Sequence, residues 1–184
     1  MLLMKMLRNV ALILLLIAGG LVFYTQAMLR MGSGIPPQMA STDQQADAIF
    51  VDKSDRRLQL LRDGKVIRDY TISLGDQPLG HKTQEGDERT PVGTYEIDWR
   101  NENSIAHLSL HISYPNPADK AQAAQRSVSA GGNIMIHGIL NGWGFVGPLQ
   151  RLADWTNGCI AVTNTEMREI WSLVPNGTPI TIQD

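Results

Sequence analysis

AIFVDKSDRRLQLLRDGKVIRDYTISL, residues 48–74, is the stretch that decides the fold class of this chain. Apolar and polar residues alternate along it, as at Ile49 and Val51 and again at Leu58 and Leu60. Asp63-Gly64 separates two such runs, a pattern typical of a tight β-hairpin. The stretch therefore predicts antiparallel strands at the start of a folded domain.

The rest of the domain shows the same alternation of apolar and polar residues, and its sequence predicts few helices. Alternation predicts further strands at Thr94–Trp99, Leu108–Ser113, Asn133–His137, Ile160–Val162 and Pro179–Gln183. Long loops are predicted at Gly75–Arg89 and Gly138–Trp155, and a short helix at Pro117–Arg126. A second helix, Thr165–Val174, has one apolar face, and Thr163 with Glu166 forms a capping box before it. We expect a mainly β or α+β domain with a mixed sheet over residues 48–184.

The first thirty residues differ from this domain in composition. Val10–Tyr24 is an unbroken apolar run, and the only charges before it are Lys5 and Arg8. Residues 1–30 therefore predict a signal anchor, with a cleaved signal peptide ending at Ala27 as the alternative. Either way Lys5 and Arg8 stay in the cytoplasm and the domain lies outside it. Residues 31–47, rich in Gly, Pro, Ser and Gln, are interpreted as a linker.

Bulk composition excludes some classes of function. The formal net charge is −2, without the basic excess of a nucleic-acid-binding protein. A single cysteine excludes an intramolecular disulfide.

Two residues stand out as candidates for chemistry. Cys159 follows Gly158 in a run of small and polar residues, where backbone N–H groups can converge on one point. His137 ends an apolar strand immediately before Gly138. A thiol beside an imidazole is an activated nucleophile. Each residue alone is also compatible with a plain structural role, as a buried thiol or as a core histidine with satisfied hydrogen bonds.

Four motifs sharpen this hypothesis. In chain order they are Gly86-Asp87-Glu88-Arg89-Thr90-Pro91-Val92-Gly93, Tyr114-Pro115-Asn116, Ile136-His137-Gly138 and Thr156-Asn157-Gly158-Cys159-Ile160. Together they resemble the L,D-transpeptidase catalytic domain, the YkuD family, over about Ala48 to Gln183. The resemblance implies a β-sandwich-like fold whose Cys and His face one cleft.

The resemblance also implies a reaction on peptidoglycan stem peptides that needs no cofactor or metal. Cys159 would attack the bond before the terminal D-Ala of a stem tetrapeptide, with His137 as proton acceptor and donor and the Gly138 carbonyl orienting its ring. An amine would then resolve the thioester into a 3→3 cross-link. We expect the N–H groups of Asn157, Gly158 and Cys159 to form the oxyanion hole. Trp143, Phe145, Trp155 and Thr156 are candidates for the substrate cleft, with ordinary packing as the alternative for the three aromatic residues.

Two positions depart from the family pattern. Asn157 stands where the family usually has His, and Ala161 stands where it usually has Arg. Two alternatives accompany the transpeptidase: a hydrolase of the same family, in which water resolves the thioester, and a non-catalytic wall-binding module. A zinc site built from His107, His111, His137 and Cys159 is a further, weaker alternative.

Overall fold

The computed structural model describes residues 2–32 and 34–184. Its strands are β1 (Ala48–Asp52), β2 (Arg57–Arg62), β3 (Lys65–Thr71), β4 (Gly93–Ser104), β5 (His107–Ile112), β6 (Met135–His137), β7 (Ile160–Ala161) and β8 (Pro179–Gln183). Its helices are α1 (Leu2–Leu29), α2 (Pro117–Gln125), α3 (Asn164–Leu173) and a 3₁₀ segment, Gly144–Leu152.

The hairpin predicted at Asp63-Gly64 is present between β2 and β3, which pair antiparallel. Asp63 and Gly64 both have positive φ, 51° and 70°, as the two central residues of a type I′ turn require. The alternation also has its expected result, because Ile49, Val51, Leu58 and Leu60 are all buried.

The eight strands form a mixed sheet in the order β3-β2-β1-β8-β4-β5-β6-β7. Two pairs are parallel, β1 with β8 and β6 with β7. The long strand β4 pairs with β8 near its start and with β5 further along, so it joins the two halves of the sheet. A bridge between Ser73, just after β3, and Ala161 in β7 ties the two edges together. The predicted mixed-sheet fold with a few helices is confirmed.

The helix α3 begins as the sequence predicts. The Thr163 side chain accepts from the Glu166 N–H and the Glu166 side chain accepts from the Thr163 N–H. Its apolar face, with Met167, Ile170 and Trp171, is buried against the core. The shorter helix α2 has a capping box of its own, made by Asn116 and Asp119.

The interpretation of residues 31–47 as a linker is wrong for its second half. The N–H groups of Ala40 and Ala46 donate to the carbonyls of Ser172 and Leu173, and Ala46 is buried. The last carbonyls of a helix have no partner within the helix, and here this segment supplies one. Residues 40–47 therefore pack as part of the domain.

The predicted loop Gly138–Trp155 contains the 3₁₀ segment, which the sequence analysis missed. Gly147 has φ 53° and interrupts the segment, so it is two short helical pieces joined at a kink. Such short pieces carry no periodic apolar signal over several turns.

Helix α1 is long and apolar enough to cross a membrane. Leu3–Leu29 comprises 27 residues; its most apolar 18-residue stretch has a mean hydropathy of 2.2, and none of that stretch is buried. Its last turns contact the domain, because the Tyr24 hydroxyl donates to the Gly142 carbonyl at 2.8 Å. The choice between an anchor and a cleaved signal peptide stays a prediction.

Candidate active site

Cys159 and His137 lie on one face of the sheet because β6 and β7 are parallel and in register. Ile136 pairs with Ile160 and His137 pairs with Ala161. Side chains two residues apart on a strand point to the same side, so Cys159 projects to the side of Ala161 and hence of His137. Both side chains line one cleft of about 480 Å³. His137 and Cys159, which are 22 residues apart in sequence, are thus brought together because β6 and β7 are neighbouring strands.

The His137 ring is held in a defined orientation. Its Nδ1 lies 2.6 Å from the Gly138 carbonyl oxygen, and its edge contacts the Trp155 ring at 5.6 Å between centroids. A carbonyl only accepts, so Nδ1 carries the proton and Nε2 is the nitrogen with a free lone pair. Burial lowers the pKa of His137, and the hydrogen bond to Gly138 opposes this in part. The ring is therefore a neutral base at neutral pH.

The Cys159 thiol lies among backbone groups of β6 and the residues before it. The Met135 N–H donates to Sγ at 3.4 Å, and Sγ lies 3.6 Å from the Asn133 carbonyl oxygen. Burial raises the pKa of the Cys159 thiol, while the Met135 N–H and the charge of Lys82 act against the rise. Burial therefore acts against the charged form of both side chains.

Two threonine hydroxyls hold the backbone around the cysteine. The Thr156 hydroxyl donates to the Cys159 carbonyl at 2.7 Å and accepts from the Gly158 N–H at 3.2 Å. The Thr90 hydroxyl, fully buried, donates to the Gly158 carbonyl at 2.9 Å. The loop before Cys159 is thereby tied both to itself and to the segment that contains Thr90.

This network involves the loop that is expected to form the oxyanion hole, with N–H groups from Asn157, Gly158 and Cys159. The Gly158 N–H is engaged by Thr156, so it is not a free donor. The N–H groups of Asn157 and Cys159 make no hydrogen bond within residues 2–32 and 34–184. These two remain candidates for the role.

The cleft opens between polar and apolar walls. Trp155, Leu140 and Met135 lie on its lining together with Ser109 and Asn157. Asn157 also lines a second, more polar groove of about 700 Å³, which contains Lys82, Glu85 and Glu88. The residue before Gly158 thus stands between the two cavities.

The model of the L,D-transpeptidase catalytic domain, YkuD, matches residues 46–182. The chain belongs to this family. Its match begins at Ala46, in agreement with the packing of that residue in the core. Membership supports a peptidoglycan-related enzyme.

Solved structures with a similar fold include the helical cell shape determining protein Pgp2 from Campylobacter jejuni. It is 24% identical, with a TM-score of 0.56, over 88% of this chain and 54% of that one. Bd1075 from Bdellovibrio bacteriovorus is 23% identical, with a TM-score of 0.52, over 81% of this chain and 52% of that one. Matching alignments thus span about half the length of each structure, and at these identities they show a shared fold. No curated protein matches the chain.

Among the expected cleft residues of this L,D-transpeptidase domain, Trp155 and Thr156 line the cleft, whereas Trp143 and Phe145 do not. Trp143 lies behind Leu140 and Trp155, on a smaller apolar cavity of about 190 Å³. Its ring contacts Tyr24 of α1, and its Nε1 donates to the Thr25 hydroxyl at 3.2 Å. Tertiary packing against the N-terminal helix, which no local pattern encodes, explains the difference.

The zinc-site alternative has no support in the geometry. Within residues 2–32 and 34–184, no group of three His, Cys, Asp or Glu side chains is arranged to hold a metal ion. His111 pairs instead with Asp98 at 2.6 Å and stacks on Trp99. His107 is partly buried, and burial lowers its pKa.

The sequence analysis missed two contributors to the site. Met135 acts through its backbone N–H, which carries no sequence signal. Thr90 is named in the sequence analysis only as a member of the Gly86–Gly93 motif, without a role of its own, although its hydroxyl reaches the Gly158 carbonyl. The signal for Thr90 was its place in a motif that resembles the family's.

Ala161, the second departure from the family pattern, is fully buried beside His137 and Ser73.

Proposed function

We propose that this chain is a peptidoglycan L,D-transpeptidase in which Cys159 is the nucleophile and His137 is the general base and acid. The substrate is a stem tetrapeptide, cleaved between its third residue and the terminal D-Ala. The acyl group passes through a Cys159 thioester to an amine of another stem. The observation that carries the proposal is the placement of both side chains on one face of β6 and β7, in one cleft.

The orientation of the His137 ring determines which of its nitrogen atoms transfers the proton in each step. With Nδ1 donating to the Gly138 carbonyl, Nε2 of His137 accepts the thiol proton as Sγ attacks the substrate carbonyl carbon. The carbon–nitrogen bond to D-Ala then breaks, and the imidazolium returns its proton to the departing amine. The acceptor amine attacks the thioester carbonyl carbon and gives a proton to Nε2. The carbon–sulfur bond then breaks, and the imidazolium returns that proton to Sγ, which restores the Cys159 thiol.

The oxyanion of each tetrahedral intermediate would be stabilised by the N–H groups of Asn157 and Cys159. Donors aimed at the developing charge are typically worth about 10²–10³-fold in rate each. Side chains do not supply these donors, so an Asn at position 157 is compatible with the role.

Burial favours the neutral form of each partner, because it lowers the pKa of His137 and raises the pKa of Cys159. We therefore propose that the reaction starts from the neutral thiol and the neutral imidazole. Proton transfer accompanies attack, and the charge that develops on the substrate oxygen meets the N–H donors at the same moment.

The proposal includes a place for the reaction. Lys5 and Arg8 hold the start of α1 in the cytoplasm, α1 crosses the membrane without cleavage, and the domain faces the wall. A mature N-terminus at Met28 would contradict the uncleaved anchor.

The test uses the purified full chain with defined muropeptides that carry tetrapeptide stems, and the products are identified by mass. Transpeptidation yields a cross-linked dimer and one free D-Ala per bond formed. Tripeptide product without cross-links would mean that water is the acceptor, and would make the chain a hydrolase of the family.

A second measurement isolates the nucleophile. Incubation with a carbapenem should add one acyl group to the chain, detected by intact mass, and Cys159→Ala should remove it completely because the chain has one cysteine. An unmodified wild-type chain would favour the non-catalytic wall-binding module.

A further inference from the structure

The 3₁₀ segment carries apolar side chains that the domain leaves uncovered. Phe145, Leu149 and Leu152 are 76%, 65% and 84% exposed. Large apolar residues this exposed, close together in sequence, are unusual away from a binding surface. We call residues 143–152 the apolar segment.

The apolar segment begins where the domain contacts α1. Trp143 lies against Tyr24, with ring centroids 6.1 Å apart, and donates to the Thr25 hydroxyl. The next aromatic ring, Phe145, lies 5.7 Å from Trp143. Close approach of Gly142 makes this contact possible, because a Cβ there would lie 2.6 Å from Met28.

The position of Tyr24 along α1 sets the depth of this contact. Tyr24 lies 16 residues after Arg8, or roughly 24 Å at about 1.5 Å per residue. A bilayer's hydrocarbon core is about 30 Å thick. With Arg8 at the cytoplasmic boundary, Tyr24 and Thr25 lie roughly 6 Å inside the outer boundary of the hydrocarbon, and any tilt of α1 places them deeper. The groups of the domain that are bonded to them, Gly142 and Trp143, are therefore held at the outer boundary of the hydrocarbon, next to the lipid headgroups.

The composition of the apolar segment suits that level. Trp and Tyr are enriched at the membrane–water interface, and Trp143 and Tyr24 meet there. Residues 143–152 include no Asp or Glu, and their one charged side chain, Arg151, is paired with Glu166.

We propose that the apolar segment inserts into the outer face of the membrane that α1 spans, so that the domain lies on the lipid surface. The inference rests on the membrane anchoring in the proposed function. The cleft is close to this surface, because Leu140 and Trp155 line both the cleft and the apolar cavity beside Trp143. The site would then act on stem peptides that approach the membrane.

The test places an environment-sensitive fluorophore on single cysteines in the full chain, with Cys159→Ala as background. The chain is reconstituted into phosphatidylethanolamine–phosphatidylglycerol vesicles that contain spin-labelled lipid. Probes at Phe145→Cys, Leu149→Cys and Leu152→Cys report on the apolar segment. A probe at Val66→Cys, next to the hairpin turn and 49% exposed, is the matched control. A probe at Leu14→Cys reports on α1.

We expect a shallow spin label to reduce the fluorescence of the three segment probes at least twofold, and to leave the Val66 probe unchanged. A quenched Leu14 probe with segment probes no different from Val66 would overturn the insertion and leave the anchor intact. A Leu14 probe that is not quenched by a spin label placed deep in the acyl chain would overturn the anchor, and the insertion with it. Because three positions are labelled separately, misfolding or poor labelling of one variant does not decide the result.

Discussion

A glycine-to-alanine change at residue 158, compared with the same change at residue 177, tests whether close backbone approach positions the nucleophile. Both glycines have positive φ, 105° and 86°. A Cβ on Gly158 would lie 2.5 Å from the Arg89 carbonyl oxygen, whereas a Cβ on Gly177 would have nothing within 4 Å. The pair therefore separates the conformational penalty from the collision.

The expected loss of stability differs accordingly. Alanine at positive φ costs about 1–2 kcal/mol, and this is the whole expected effect of Gly177→Ala. Gly158→Ala adds a collision with backbone, which only a shift of the loop can relieve. That shift breaks the hydrogen bond from Thr90 to the Gly158 carbonyl, worth roughly 1 kcal/mol. With the residual collision, we expect a total of about 2–4 kcal/mol.

The decisive measurement is the rate of carbapenem acylation, followed by intact mass, with urea unfolding alongside. Gly177→Ala should be acylated at the wild-type rate. Gly158→Ala, measured where it is still folded, should be slower by roughly 10²-fold, because small displacements of a reacting group have effects of that size. A folded Gly158→Ala chain that is acylated at the wild-type rate would refute the reasoning.

Three further outcomes follow from the same site. Lowering the pH should slow acylation only below the ordinary histidine pKa of about 6.5, because burial lowers the pKa of His137 and catalysis needs the neutral ring; an acid limb centred above that value in a pH–rate profile would contradict this. Thr156→Val should slow acylation, since it removes the hydroxyl bonded to Gly158 and Cys159, whereas Thr178→Val, which removes a hydrogen bond to the Pro175 carbonyl, should reduce only urea stability. Asn157→Ala should keep acylation within about tenfold of wild type, because the proposed donor is its backbone N–H; a severe loss in a folded chain would assign the role to its side chain.

Local patterns were sufficient for the elements that depend on local chemistry. Asp63-Gly64 fixed the hairpin because its residues tolerate positive φ, and Thr163 with Glu166 marked the start of α3 because their side chains satisfy free N–H groups. The last strand, Pro179–Gln183, has the bounds that its alternation predicts.

Features that depend on distant partners could not be predicted from such patterns. Residues 40–47 are ordered by carbonyls at the end of α3, more than a hundred positions away in sequence. Trp143 belongs to the contact with α1 and not to the cleft, although its neighbourhood of glycines resembles a functional loop.

The candidate site also has features that the sequence predicts and features that depend on the folded structure. The resemblance identified Cys159 and His137, and the parallel pairing of β6 with β7 brings them together. The engagement of the Gly158 N–H by Thr156 was not foreseen, because a side-chain hydroxyl competing for a backbone donor depends on loop conformation.

The hydrogen bonds around Cys159 explain how the loop can tolerate a family departure at position 157. Its conformation is fixed from three sides: by the Thr156 hydroxyl, by the buried Thr90 hydroxyl, and by the glycine at 158, where a side chain would collide with Arg89. None of these constraints uses the side chain at 157, which instead lies between the cleft and the polar groove. Substitution there is free to change which substrate groups are recognised while the nucleophile keeps its position. We therefore expect the Asn at 157 to alter the choice of stem or acceptor more than the chemistry at sulfur.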